Sequence, residues 1–245
     1  MKLSLYLVLM VCMALLLGVF GRGLWHPMYS KLFGKRSLDD VISLYGVVAR
    51  EKLKPDFELA GINYPPENLA FLAFKDTDVL ELWAQDENDW AIIKTYPIKA
   101  ASGVSGPKLR EGDYQVPEGE YDIIGFNPNS SYHLSMKLNY PNAFDQKWAE
   151  QEGRTEPGTN IFIHGKAVSI GCLAMGDEAI EELFVLSHDV GKSNIKVIIA
   201  PTDPRINELK PPVGSPPWVS DLYQDITLAF GFFNKKTSTG SAGLK

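Results

Sequence analysis

The chain is short of cysteine. It has two, Cys12 and Cys172, and no C-x-x-C pair. Cys12 lies in an apolar N-terminal stretch, so Cys172 has no partner for an intramolecular disulfide. A leftover thiol of this kind is reactive, an intermolecular linker, or buried and inert. Histidine is scarce too, at four residues. Positive charge is not in excess, with a formal net charge of -6. Residues 1–36 hold Lys2, Arg22, Lys31, Lys35 and Arg36 and no acid, and the remainder carries 19 basic and 30 acidic residues. That balance makes the domain a poor candidate for binding nucleic acid, because phosphate contacts need basic patches, and no nucleic acid is expected as a partner. No internal repeat is present. What is there suits one domain of good size with an appendage: 245 residues, 45% hydrophobic and 11% aromatic.

Residues 3–21 are apolar apart from Ser4, and Lys2 precedes them. The run approaches the roughly 20 residues that span a bilayer. Residues 1–22 therefore read as a signal peptide or a signal-anchor helix, giving membrane contact through the N-terminal segment. Leu17-Gly18-Val19-Phe20-Gly21 is a poor small-x-small cleavage site, which favours an uncleaved anchor. A juxtamembrane helix and connector are expected over 23–65, with the helix starting at a Ser37 cap and stopping before Gly46. Strands are expected over 69–74, 79–84, 90–97, 121–126, 133–138, 160–164 and 195–200, separated by turn signals. The clearest helix starts near Asp177, where Ala179, Ile180, Leu183, Phe184 and Leu186 recur at helical spacing. Asp177 and Glu178 read as caps of that helix. Residues 204–245 read as a proline-rich linker, a docking helix and a tail. The fold class expected is mainly β with peripheral helices, an α+β domain over 66–203.

The chemistry concentrates in residues 161–175, Ile-Phe-Ile-His-Gly-Lys-Ala-Val-Ser-Ile-Gly-Cys-Leu-Ala-Met. A strand delivers His164, a glycine-bounded loop returns to Cys172, and a helix departs a few residues later. A thiol needs a base to become a thiolate and open backbone to admit a substrate. His164 could be that base, with the Gly165 carbonyl orienting its imidazole. Ser169 could hold the loop. Gly171 removes a side chain beside the sulfur, and the N–H groups of Gly171 and Cys172 could form an oxyanion hole. Read this way, the segment performs acyl transfer through a thioester. A histidine and a cysteine that merely share a core remain the bland alternative.

Ile163-His164-Gly165 followed by Ser169-x-Gly171-Cys172 resembles the catalytic motif of the L,D-transpeptidases, the YkuD-type peptidoglycan enzymes. Upstream, Gly106-Pro107-Lys108, Gly112-Asp113 and Pro117-Glu118-Gly119-x-Tyr121 resemble that family's recurrent segment, with Val116 in place of a threonine. Tyr132-His133 and Asn139-Tyr140-Pro141-Asn142 resemble its YafK-like branch. The resemblance covers about residues 69–200. It implies a β-sandwich with the cysteine at one end of a cleft, in the periplasm or cell envelope, anchored to the inner membrane. It implies peptidoglycan stem peptides as partners, with acyl transfer from meso-diaminopimelate to an amine of a second stem or of a peptidoglycan-linked lipoprotein. By position, Cys172 is then the nucleophile, His164 the general base and acid, and Gly165, Ser169 and Gly171 the supporting frame. Lys108, Tyr132 and His133 are candidates for substrate binding. No metal and no cofactor is implied. The short loop and Ala174 depart from the longer family motif, and leave open a hydrolase using water, or a catalytically silent binding module.

Overall fold

The computed structural model describes residues 34–86 and 89–233, with isolated positions 6, 10 and 13. The segment expected to be a signal or anchor helix, residues 1–22, lies outside these apart from the three isolated positions. Among the described residues no helix is long and apolar enough to cross a membrane. The tail after Phe233 also lies outside them.

Eight strands form one mixed sheet: β1 (Asn68–Phe74), β2 (Val79–Asp86), β3 (Asp89–Pro97), β4 (Gly119–Ser130), β5 (His133–Leu138), β6 (Phe162–His164), β7 (Leu173–Ala174) and β8 (Ile195–Ala200). Their order is β3-β2-β1-β8-β4-β5-β6-β7. β1 pairs with β8 in parallel and β6 with β7 in parallel; the other pairs are antiparallel. The α-helices within residues 34–86 and 89–233 are α1 (Leu38–Ala60), α2 (Ala143–Gln151), α3 (Asp177–Val190) and α4 (Val219–Phe230). The expected α+β class is the observed one. The strands form a single hydrogen-bonded series, handed over in the middle of the 12-residue β4. Its first half pairs with β8 and its second with β5, and the β4–β5 ladder shifts register between Ile123 and Gly125 and again between Asn127 and Ser130. A bulged long strand bends the sheet at that point.

β1 shows why the sequence folds so. Asn-Leu-Ala-Phe-Leu-Ala-Phe is an almost unbroken apolar run, the mark of a strand buried on both faces. Successive side chains alternate between faces. Leu69, Phe71 and Ala73 join α1 and α3 in one core, and Ala70, Leu72 and Phe74 join α4 in another. The proline-rich 201–217 stretch carries the chain round to place α4 on that second face, as expected for a docking helix.

α1 corrects one expectation. It does not stop before Gly46 but runs to Ala60 and ends at Gly61, whose φ of 69° provides a left-handed cap. Ser37 and Asp40 form the capping box at its start. The glycine is tolerated because Val41, Ala49, Leu53 and Phe57 form a stripe buried in the core, and such packing outweighs roughly 1 kcal/mol of unfavourable propensity. Arg50 adds a bidentate pair to Asp189 at the end of α3, 2.7 Å for each bond. α2 was not foreseen. Asn142 caps it by accepting from the Asp145 N–H at 3.0 Å, so the Pro141-Asn142 pair is a helix start.

Candidate functional site

Parallel register brings the two reactive residues to one face. β6 and β7 pair with Ile163 beside Leu173 and His164 beside Ala174. Continuing that register one residue back sets Cys172 beside Phe162. Paired residues in neighbouring strands share a face, and alternate residues along a strand share it too. Ile163 and Leu173 therefore enter the core, both essentially fully buried. Phe162, His164 and Cys172 point the other way, into a cleft of about 300 Å³. The loop of residues 165–171 is the crossover that the parallel pairing requires.

His164 is held in one tautomer. Its Nδ1 lies 2.6 Å from the Gly165 carbonyl oxygen. A carbonyl only accepts, so Nδ1 carries the proton and Nε2 is left as the acceptor. Tyr132 packs its ring on the imidazole, centroids 4.8 Å apart. Burial pushes the imidazole below its ordinary 6.5, against the opposing pull of the Gly165 carbonyl. Burial also pushes the Cys172 thiol above its ordinary 9.0, opposed by hydrogen bonding to the Phe162 backbone and by the charge of Lys108. The sulfur lies 3.8 Å from the Asn160 carbonyl oxygen. Both shifts favour neutral forms, so the resting pair is thiol and imidazole rather than thiolate and imidazolium.

That has a measurable consequence. The neutral imidazole persists to pH values below 6.5, so the acid limb of any His164-dependent kcat/KM falls on the acid side of that value. Alkylation of Cys172 by iodoacetamide follows the thiolate and keeps rising past pH 9.0. A plateau reached near neutral pH would contradict the neutral resting pair.

Ser169 is the hub of the loop. Its hydroxyl donates to the Cys172 carbonyl at 2.6 Å and accepts from the N–H groups of Gly171 and Cys172 at 3.2 and 3.0 Å. This corrects the expected oxyanion hole. Those two backbone donors are engaged by a hydroxyl in their own loop and do not stand free toward the cleft. Gly171 has a φ of 121°, a conformation open to glycine, and a Cβ there would lie 3.3 Å from the Gln115 carbonyl oxygen.

Gly165 is confined as well. A Cβ on it would lie 2.7 Å from the Tyr132 carbonyl oxygen and 2.8 Å from Asp177 Oδ1. Gly165→Ala is therefore expected to destabilise the protein by about 1–3 kcal/mol as the β4–β5 turn gives way. A thermal melt superimposable on that of the parent chain would show that the turn relaxes freely.

The cleft also corrects other sequence expectations. Asp177 does not cap α3; the residue before the helix is Gly176, with no side-chain cap. Instead the Asp177 carboxylate accepts from the Lys166 backbone N–H at 2.9 Å and pairs with its ammonium, pinning the loop after His164. Glu178 is exposed, 4.0 Å from Lys52. His133, a candidate for the substrate, does not line the cleft; its Nε2 lies 2.7 Å from Glu181 on α3. Its ring meets that of Tyr45 edge-on, centroids 5.4 Å apart. Tyr132 and Lys108 do line the cleft. The strand expected from 160 starts at Phe162, because Asn160 takes a left-handed φ of 57°. Tyr114, Asn160, Val168 and Ile170 also line the cleft, with Glu111 and Thr159, and were missed. Only their closeness to Gly112-Asp113 and to the His164–Cys172 run could have flagged them. Tyr114, His133, Asn160 and Lys166 all have left-handed backbone, the kind of strain that gathers at functional sites. Among the described residues no His, Cys, Asp or Glu group could hold a metal ion.

A mixed sheet whose short parallel edge pair presents a cysteine and a tautomer-fixed histidine to one cleft defines a class, that of domains built around a thiol and an imidazole. Within it the chain belongs to the L,D-transpeptidase catalytic domain (YkuD) family, whose model matches residues 73–199. It is 34% identical over 113 residues to YafK of Escherichia coli (strain K12), which is provisionally named an L,D-transpeptidase. That match covers 45% of this chain and 44% of YafK, so the chain matches less than half the length of this relative. Among solved structures it overlaps the helical cell shape determining protein Pgp2 of Campylobacter jejuni at 21% identity and a TM-score of 0.46. There it covers 60% of this chain and 55% of Pgp2. L,D-transpeptidase 1 of Mycobacterium tuberculosis overlaps at 13% identity and a TM-score of 0.32, covering 54% of this chain and 62% of that one. Likeness of that degree carries nothing about activity.

Proposed function

We propose that this protein is a peptidoglycan L,D-transpeptidase-type cysteine acyltransferase acting on stem peptides that contain meso-diaminopimelate. The observation that supports it is the fixed tautomer of His164 in the cleft that also holds Cys172. His164 Nε2 takes the thiol proton as Cys172 Sγ attacks the acyl carbon of the diaminopimelate residue. The same proton then goes to the departing amine of the terminal D-alanine, leaving a thioester. An amine of a second stem or of a peptidoglycan-linked lipoprotein next attacks the thioester, with His164 again moving the proton. Because both groups rest neutral, the proton leaves the sulfur as the bond forms. Residues 66–203 form the catalytic unit in this reading, and residues 1–22 hold it at the outer side of the inner membrane, in the periplasm.

The full chain incubated with a disaccharide-tetrapeptide muropeptide, with and without an added amine, tests this directly. Mass analysis is expected to show loss of D-alanine, an acyl adduct on the protein, and a product carrying the added amine. A product carrying water in both incubations would assign hydrolysis instead. Intact substrate and an unmodified protein would overturn the acyl-transfer reading.

A further inference from the structure

Among the described residues the cleft wall carries one ammonium and one carboxylate, that of Glu111. Of the described residues that line it, Lys108 alone is a lysine or arginine, and it shares the wall with Cys172 and His164. Its side chain is only 4% exposed. A charge so far out of water acts on its neighbours more strongly than one on the surface.

The ammonium is held in place from several sides. It donates to Asp113 Oδ1 at 2.5 Å and to the Arg110 carbonyl at 2.9 Å. Its stem lies against Gly158, where a Cβ would stand 2.5 Å from Lys108 Cε. The Lys108 carbonyl accepts from Tyr140 OH at 3.2 Å. An ammonium has three N–H groups, and the third has no partner among the described residues. Asp113 does not simply cancel the charge. Its carboxylate also accepts from the backbone N–H groups of Leu109, Arg110 and Gln115 at 2.9–3.0 Å. The negative charge is thus shared with the loop, and the ammonium keeps a free donor.

The site also has a need for such a group. Attack by Cys172 moves negative charge from sulfur to the substrate's acyl oxygen. The Gly171 and Cys172 N–H groups that could receive it are turned to Ser169.

We propose that Lys108 supplies the fixed positive charge that stabilises the negative charge developing on Cys172 and on the acyl oxygen it attacks. The proposal rests on the acyl-transfer reading above and deepens it. No proton leaves the lysine: the thiol proton goes to His164, and the ammonium stays charged throughout. Charge preorganised in a buried cleft serves the reacting state more than the bound substrate. This differs from the sequence expectation that Lys108 binds the substrate, which would act on KM. Burial alone raises the Cys172 thiol, and Lys108 is the one side chain that pulls it back.

The test compares Lys108→Met, Lys108→Arg and the double variant Lys108→Met/Asp113→Asn in the full chain. The double variant removes both charges and leaves no carboxylate unpaired. Iodoacetamide alkylation of Cys172 against pH needs no substrate and reads the thiol directly. Lys108→Met and the double variant are expected to move its midpoint upward by about one pH unit, and Lys108→Arg to hold it near that of the parent. On the muropeptide, kcat should fall by roughly 10²-fold with KM within about twofold. An unmoved midpoint, a rise in KM at unchanged kcat, or full recovery in the double variant would each overturn the proposal. A parent chain that alkylates normally but forms no acyl adduct would sink the acyl-transfer reading, while a moved midpoint would still establish the Lys108–Cys172 coupling.

Discussion

Cys172→Ala is expected to abolish acyl transfer, a loss of roughly 10⁴-fold or more, with the fold intact. The methyl group keeps the small side chain and removes only the sulfur, so no alternative nucleophile is created. The cost to stability is small because the loop is held elsewhere. Ser169 bonds to the Cys172 backbone rather than to its side chain, and β7 pairs through Leu173 and Ala174. The sulfur's own contact, 3.8 Å to the Asn160 carbonyl, is weak. Intact mass after exposure to a carbapenem should show covalent addition to the parent chain and none to the variant. A folded Cys172→Ala protein that still releases D-alanine would end the thioester mechanism, and would direct attention to a binding role for the cleft.

The second large effect is on stability. Glu118→Ala is expected to cost roughly 3–5 kcal/mol, and to lower Tm by roughly 6–20 °C. The Glu118 side chain is fully buried and pairs at 2.9 Å with the Lys75 side chain, which is 6% exposed. It also accepts from the Gly106 N–H at 2.7 Å and from Tyr223 OH on α4 at 2.8 Å. Lys75 in turn holds the Gly106 and Val116 carbonyls. Removing the carboxylate strands an ammonium in the interior and frees three elements from one another. Burial already pushes Lys75 below its ordinary 10.5, and loss of Glu118 pushes it further. In that variant the folded state binds fewer protons than the unfolded chain between the depressed value and 10.5. Its stability therefore rises with pH across that window. Thermal melts at pH 7 and near pH 10 should show the deficit shrinking. The paired change Lys75→Met/Glu118→Leu should lose much less, because neither charge is left behind. Equal losses in the single and double variants would mean that packing, not the stranded charge, sets the cost.

These two cases show different degrees of legibility. The His164–Cys172 run was readable because its chemistry is written in residue types. A lone thiol, a histidine and glycines at close spacing have few other uses together. The Gly165 carbonyl at His164 Nδ1 was foreseeable for the same reason, since adjacent residues need no fold to meet. The strands were readable where apolar runs or alternation force them, as in β1 and β5. The Pro117-Glu118-Gly119 segment was visible as a motif, but its purpose was not. A buried carboxylate is sensible only beside Lys75 and Tyr223, 43 and 105 residues away in the chain.

Residue types and local spacing were enough for the α+β class, the family resemblance, the placing of Cys172 apart from the apolar N-terminal run and the pairing of His164 with the Gly165 carbonyl. Local composition and spacing suffice for each of these. Which way the side chains face follows from strand pairing across the fold. The two-residue β7 is too short to be read from periodicity, yet its parallel register with β6 turns His164 and Cys172 into one cleft. The structure also gave the Gly171 and Cys172 N–H groups to Ser169, withdrew His133 to Glu181, and buried Lys108 in the wall of the cleft that holds Cys172. Each of these depends on which hydrogen-bonding partner is nearest in space, and a backbone donor or an ammonium carries no mark in the sequence of the acceptor it will meet.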